Sequence, residues 1–87
     1  MTQFRGKHVH FVGIGGAGIS AIARVLMEMG YYVSGSDQVA SALTTALAGE
    51  GATIHVGHRA EQVAGADLVV VSSAVPADNV ELRAAMA

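Results

Sequence analysis

The sequence has no cysteine, no tryptophan and a single proline, and its only other aromatic residues are two tyrosines and two phenylalanines. Without cysteine there can be no disulfide, no thiolate nucleophile and no cysteine-ligated metal, an absence in keeping with a cytoplasmic location. Charge is scarce as well. Only 14% of residues are charged and the net charge is −2, so no basic surface of the kind nucleic acid requires is expected. No apolar run approaches the roughly 18 residues of a membrane-spanning helix. Met1 to Lys7 lacks the apolar stretch and cleavage site of a secretory signal. Neither nucleic acid nor membrane is therefore expected as a partner. Repeats, linkers and low-complexity segments are also missing.

Apolar residues and glycine are plentiful. Hydrophobic residues make up 52% of the chain and glycine contributes 11 of 87 residues. One domain is the upper bound for this length. The composition suits a buried parallel sheet whose strands are apolar on both faces. A chain of this size buries only about 60–65% of its unfolded surface, and doubly wound domains are ordinarily larger. Asn79 to Ala87 starts a helix that nothing follows. Both features predict part of a longer enzyme.

The organising stretch is Gly13-Ile14-Gly15-Gly16-Ala17-Gly18. It follows an apolar run, His8 to Val12, and opens a helical pattern, Ala17 to Met29. Gly-x-Gly-x-x-Gly at a strand-to-helix turn has a physical rationale. Gly13 permits the tight turn, Gly15 lets a diphosphate approach the backbone, and Gly18 allows close packing of helix on strand. The free N–H groups and the positive dipole end of the helix then face the phosphates. A second strand, Tyr31 to Ser36, completes a βαβ unit and leads into Asp37, roughly 20 residues beyond the motif, where a carboxylate accepts hydrogen bonds from a ribose.

Along the chain, Val9 and Phe11 share one face of the first strand, and His8, His10 and Val12 the other. Two histidines so spaced could hold a metal, but no third ligand lies near in sequence and they read as structural. Ile19, Ile22, Ala23, Leu26 and Met29 recur at helical spacing and are expected to face the sheet. Met27 and Met29 read as packing residues. Ser20 could reach a phosphate or bond back to its own helix. Gly30 reads as the helix terminator, and Gly35 as a point of close backbone approach. Ser41 is the expected N-cap of a helix reaching Glu50, with Leu43 and Leu47 on one face. Strands follow at Thr53–Val56 and Leu68–Val71, separated by a short helix or turn at Ala60 to Val63. The predicted fold is α/β, a Rossmann-like doubly wound parallel sheet with about four strands in order 3-2-1-4 and right-handed crossovers. Its ligand site lies at the strands' carboxyl ends, where Gly13–Gly18, Ser36–Gln38 and Ser72–Val75 converge, with His58 at the outer rim.

His10-Phe11-Val12-Gly13-Ile14-Gly15-Gly16-Ala17-Gly18, Ser34-Gly35-Ser36-Asp37, Gly57-His58 and Val71-Ser72-Ser73-Ala74 together resemble the N-terminal domain of the Mur ligases from His8 onward. The resemblance implies that residues 1–87 are a single UDP-binding domain of a three-domain ligase. Its partners would be UDP-N-acetylmuramate and the parent enzyme's central and C-terminal domains. The family reaction, a cytoplasmic step of peptidoglycan synthesis, activates the muramyl carboxylate as an acyl phosphate, which the amine of L-alanine attacks. ATP and magnesium belong to the central domain, and this chain, without a second phosphate loop, is expected to bind no cofactor and to be inactive alone. Gly15, Gly16, Ala17 and Gly18 would cradle the diphosphate. Asp37 would meet the ribose with Gln38 beside it, His58 would approach the uracil, and Ser72, Ser73 and Ala74 would line the substrate. No residue reads as catalytic and none as a metal ligand. Two departures stand out: Val80 where the family often has proline, and Ile19 where methionine is common. Neither changes the expected function.

Other readings share these residues. The ligase that recycles a muramyl tripeptide has a similar domain. An NAD-binding domain of an oxidoreductase uses the same turn and the same acid, and a nucleotide sensor without chemistry would use them too. The extra Gly16 and Gly35-Ser36-Asp37-Gln38 favour the ligase by resemblance.

Overall fold

Parallel strands cannot be joined by tight hairpins, so each connection must cross a face of the sheet. In the computed structural model, which describes residues 7–87, strands β1 (His8–Val12), β2 (Tyr32–Asp37), β3 (Thr53–Val56) and β4 (Leu68–Val71) pair in parallel in the order β3-β2-β1-β4. Helix α1 (Ala17–Glu28) links β1 to β2, and α2 (Ala42–Gly49) links β2 to β3. A 3-10 turn, Ala60–Val63, lies between β3 and β4, and α3 (Val80–Met86) follows β4. The α/β order read from the sequence holds, with Asp37 now the last residue of β2.

The helix ends follow local chemistry. Gly30, at φ +93°, ends α1 while the Tyr31 amide donates to the Leu26 carbonyl at 3.0 Å, the geometry that a left-handed glycine permits. Ser41 Oγ accepts from the Thr44 amide at 3.2 Å and Thr44 Oγ1 accepts from the Ser41 amide at 2.8 Å, a reciprocal cap on α2. Asn79 Oδ1 caps α3 by accepting from the amides of Glu81 and Leu82.

One face of the sheet is apolar. Val9, Phe11 and Val33 pack there with Ile14, Ala23 and Leu47, flanked by Ile19, Leu26, Met27 and Ile54. The buried stripe of α1 centres on Ala23 and Ser20. Ser20 Oγ donates to the Ala17 carbonyl of its own helix at 2.9 Å. Two residues expected to face the sheet do not: Ile22 is 50% exposed and Met29 40%. They lie a heptad apart, about 100° round the helix from Ala23, off the stripe that Ile19, Ala23, Leu26 and Met27 turn to the sheet. Gly18 is a second correction. A Cβ there would meet nothing within 4 Å, so it does not serve helix–strand packing. Gly35 has that role on the sheet: a Cβ on it would come within 2.7 Å of Ile14 Cβ.

The opposite face overturns the expectation of strands apolar on both sides. Register places Ser34 between His10 and Thr53, and Ser36 beside His55, and His10, Ser34 and Ser36 are buried. Covering elements must therefore bring polar partners. Glu81 of α3 does so with no exposed surface. Its Oε1 accepts from His10 Nε2 at 2.6 Å and Ser36 Oγ at 2.9 Å. Its Oε2 accepts from His58 Nδ1 at 2.9 Å, the Arg59 amide at 3.1 Å and Gln62 Nε2 at 3.0 Å. His10 Nδ1 reaches Ser34 Oγ at 2.7 Å, which in turn lies 2.6 Å from His8 Nε2. Both histidines are thus engaged in hydrogen bonds, and among the described residues no group of three or more His, Cys, Asp or Glu is placed to hold a metal ion.

Burial disfavours the His10 imidazolium more than Glu81 favours it, holding the His10 pKa below its ordinary 6.5. Burial pushes the Glu81 carboxyl up, but donation from His10, Ser36 and His58 outweighs it and sets the pKa below the ordinary 4.5. At neutral pH the pair is a neutral imidazole donating to a carboxylate.

Two outcomes follow from this packing. Gly35→Ala should destabilise the fold by about 1–3 kcal/mol through overpacking against Ile14; an unchanged urea midpoint would show that Ile14 retreats freely. For His10 and Glu81 alike, the unfolded chain binds protons more readily than the folded one, so acid favours unfolding. The His10 contribution is complete above 6.5 and is lost as pH falls through its lower folded value. The Glu81 contribution is complete above 4.5 and fades through its own lower value. The urea midpoint should therefore drop between about pH 7.5 and about pH 5.5. His10→Gln, which can still donate to Glu81 but cannot titrate, should flatten that decline.

Candidate functional site

The turn after β1 is held from β2. The amides of Gly13 and Ile14 both donate to the Ser36 carbonyl, at 2.8 and 3.0 Å, and the Gly16 amide closes on the Gly13 carbonyl at 3.2 Å. Gly13 has φ +85°, and a Cβ on it would strike Ser72 Cβ and Val75 Cγ2, both at 2.9 Å. Glycine is required there for conformation and for space. The Gly15 amide donates to Asp37 Oδ2 at 2.9 Å, and a Cβ on Gly15 would lie 2.8 Å from that same oxygen. The bare backbone at Gly15 therefore admits the Asp37 carboxylate.

Helix α1 begins directly beyond. Its N-cap, Gly16, has no side chain to offer and no acidic residue lies in the first turn. The amides of Ala17, Gly18 and Ile19 have no acceptor among the described residues. Helices α2 and α3, by contrast, are capped by Ser41 and Asn79. Three unsatisfied donors at the positive end of a helix dipole can bind an anion.

A cavity of about 410 Å³ opens at the carboxyl ends of the strands. Of the residues singled out in the sequence, Gly15, Gly16, Asp37, Gln38, His58, Ser72 and Ala74 line it together. Ala17 and Gly18 occupy the exposed first turn of α1 just past Gly16, and Ser73 is exposed beside Ser72 without lining the cavity. Gly13, Val75, Pro76 and Asn79 complete the wall. Ser72 Oγ accepts from the Ala74 amide at 3.3 Å, which shapes the loop after β4. Asp37 Oδ1 has no partner among the described residues, so one carboxylate oxygen holds the turn while the other remains able to accept from a ligand. His58 stands between the cavity and the buried face: its Nδ1 lies 2.9 Å from Glu81 Oε2 and 3.0 Å from Ser36 Oγ. The cavity thus offers an acceptor at Asp37, and the free amides of α1 begin directly past its wall at Gly16.

Sequence reasoning missed Glu81 as the support beneath His58. An acid in the first turn of a helix reads as a solvated partner of the dipole. A signal was nevertheless present. His10, Ser34 and Ser36 fall at matching positions of two interior strands, and polar groups buried side by side require a polar element across from them.

Residues 8–87 match the profile of the Mur ligase family, catalytic domain. The UDP-N-acetylmuramate–L-alanine ligase of Laribacter hongkongensis is 60% identical over 81 residues, covering 93% of this chain and 17% of that protein. The like-named enzyme of Syntrophobacter fumaroxidans is 57% identical over the same length, with the same coverage. The crystal structure of UDP-N-acetylmuramate-alanine ligase MurC from Thermotoga maritima aligns with a TM-score of 0.84 at 41% identity, over 91% of this chain and 19% of that one. The chain therefore spans under a fifth of the length of these relatives. Because the profile match starts at the first residue of β1 and runs through the glycine turn, Asp37, His58 and α3, the chain belongs to the Mur ligase family.

Proposed function

We propose that residues 1–87 are the UDP-binding domain of a cytoplasmic UDP-N-acetylmuramate:L-alanine ligase of peptidoglycan synthesis, one of three domains in the longer protein. The observation that carries this reading is the polarity around the cavity, with the unsatisfied α1 amides just past Gly16 of its wall and the free oxygen of Asp37 in its lining. A nucleoside diphosphate has the complementary order: acceptor phosphates, then donor ribose hydroxyls. The names of the relatives supply the substrate class.

In this reading the diphosphate lies over Gly15 and Gly16 against the amides of Ala17, Gly18 and Ile19. Asp37 accepts from the ribose, Gln38 flanks the sugar, and His58 faces the uracil. Ser72, Ser73 and Ala74 run beside the muramyl portion. Chemistry would occur elsewhere: the muramyl carboxylate becomes an acyl phosphate, and the L-alanine amine displaces phosphate to form the amide. The residues of this chain do not fit a magnesium–ATP site. The described ones include no metal-ligating group of three, and the sole lysine, Lys7, precedes β1 instead of closing a loop after a strand. ATP and magnesium would be held by the central domain of the parent enzyme. This chain's part is to anchor and orient the nucleotide.

The test is a two-dimensional NMR titration of the labelled chain with UDP, UDP-N-acetylmuramate and NAD in parallel. Shifts with the uridine ligands should cluster at Gly15–Gly18, Asp37–Gln38 and Ser72–Ala74, whereas tighter NAD binding at those residues would restore the oxidoreductase reading. Asp37→Ala should lower UDP affinity by about 1.5–3 kcal/mol, the scale of a hydrogen bond to a charged group. Inorganic pyrophosphate should lose less; equal losses would confine Asp37 to holding Gly15.

A further inference from the structure

The hydrogen bonds under His58 determine which of its ring nitrogens carries the proton. Glu81 Oε1 accepts the single hydroxyl proton of Ser36 at 2.9 Å, so the Ser36 oxygen can only accept from His58. Glu81 Oε2 can only accept as well. His58 Nδ1 is therefore flanked by two acceptors, at 2.9 and 3.0 Å, and a lone pair on Nδ1 would face both. The proton belongs on Nδ1, and in the neutral ring the lone pair falls on Nε2. Nε2 has no partner among the described residues, and His58 lines the cavity with Asp37 and Gln38.

Strand order indicates what meets that lone pair. Along the carboxyl edge of the sheet the glycine turn follows β1, Asp37 ends β2, and His58 follows β3. A nucleotide with phosphates at α1 and sugar at Asp37 extends its base toward the β3 end. We infer that Glu81 is a positioning residue for base selection: it locks His58 as the Nδ1–H tautomer, so that Nε2 accepts from the N3–H of uracil and faces the N3 lone pair of cytosine unfavourably. This inference rests on the uridine-nucleotide reading above.

Long-range proton–nitrogen correlation spectra of the histidine rings at neutral pH read the tautomer without ligand. His58 should show a protonated Nδ1 and a pyridine-like Nε2; the reverse pattern overturns the inference. UDP and CDP titrations then read selectivity, and UDP should bind about tenfold more tightly, the scale of one well-made hydrogen bond. In E81Q, whose amide places a donor among donors, His58 should lose its single tautomer and the preference should fall toward parity. His58→Ala leaves Glu81 its other donors and should also bring UDP and CDP to parity, which keeps the test available if E81Q does not fold. Equal binding of UDP and CDP to the wild-type chain, or an undiminished preference in folded E81Q, overturns the role of Glu81. Failure of every uridine ligand to bind would instead strike the proposed function, and with it base selection, while the ring spectra would still report the tautomer.

Discussion

A carboxylate sealed from water costs several kcal/mol unless donors replace its hydration, and Glu81 is fully sealed. Its five donors come from β1, β2, the segment after β3 and the 3-10 turn. The contacts that satisfy the charge are therefore those that hold α3 and the 3-10 turn on the sheet. The opposite face needs no such device, because Val9, Phe11, Val33 and Leu47 bury apolar surface against α1 and α2, at about 25 cal/mol per Å². The two faces are stabilised by different physics. The apolar face tolerates small shifts, whereas the polar face depends on each donor staying in place, since one removed partner leaves a buried charge underserved.

That difference bears on the cavity, because the last residues of β2 belong to both. The Ser36 carbonyl takes two amides of the glycine turn while its hydroxyl donates to Glu81. Asp37 holds Gly15 with one oxygen and presents the other. The turn that opens α1 is thus tied through Ser36 to the buried charge and held a second time by Asp37. Such a turn needs little reordering on binding, which lowers the entropic cost of holding a ligand. The connection is local: it runs through hydrogen bonds between adjacent elements and requires no moving part.

The strand order, the helix ends and the convergence of Gly13–Gly18, Ser36–Gln38 and Ser72–Val75 were legible because each rests on short-range pattern. Period, capping chemistry and glycine spacing are properties of a few neighbouring residues. Gly30, Ser41 and Asp37 lie where that chemistry puts them. The misreadings all concern which face a residue meets and what lies across from it. Ile22 fits the helical period as well as Ala23 does, yet the stripe that meets the sheet runs through Ile19, Ala23, Leu26 and Met27 and leaves Ile22 exposed. Gly18 and Gly35 are equally bare in sequence, yet only Gly35 has Ile14 against it. Glu81 is 71 residues from His10, beyond the reach of any local pattern.

The turn and its acid are common to many nucleotide-binding domains, so they cannot by themselves explain a preference among nucleotides. Selectivity has to come from a group whose hydrogen-bonding sense is fixed before the ligand arrives, since a group free to switch between donor and acceptor accommodates either partner. A surface histidine is such an ambiguous group: its two tautomers lie close in energy, and water satisfies both. His58 is removed from that ambiguity by its seat on Glu81 and Ser36, which answer only a donor. The charge that holds α3 on the sheet thereby also fixes the polarity that His58 presents to the cavity, where the proposed reading places the base. Fold stability and ligand discrimination would then share a single carboxylate.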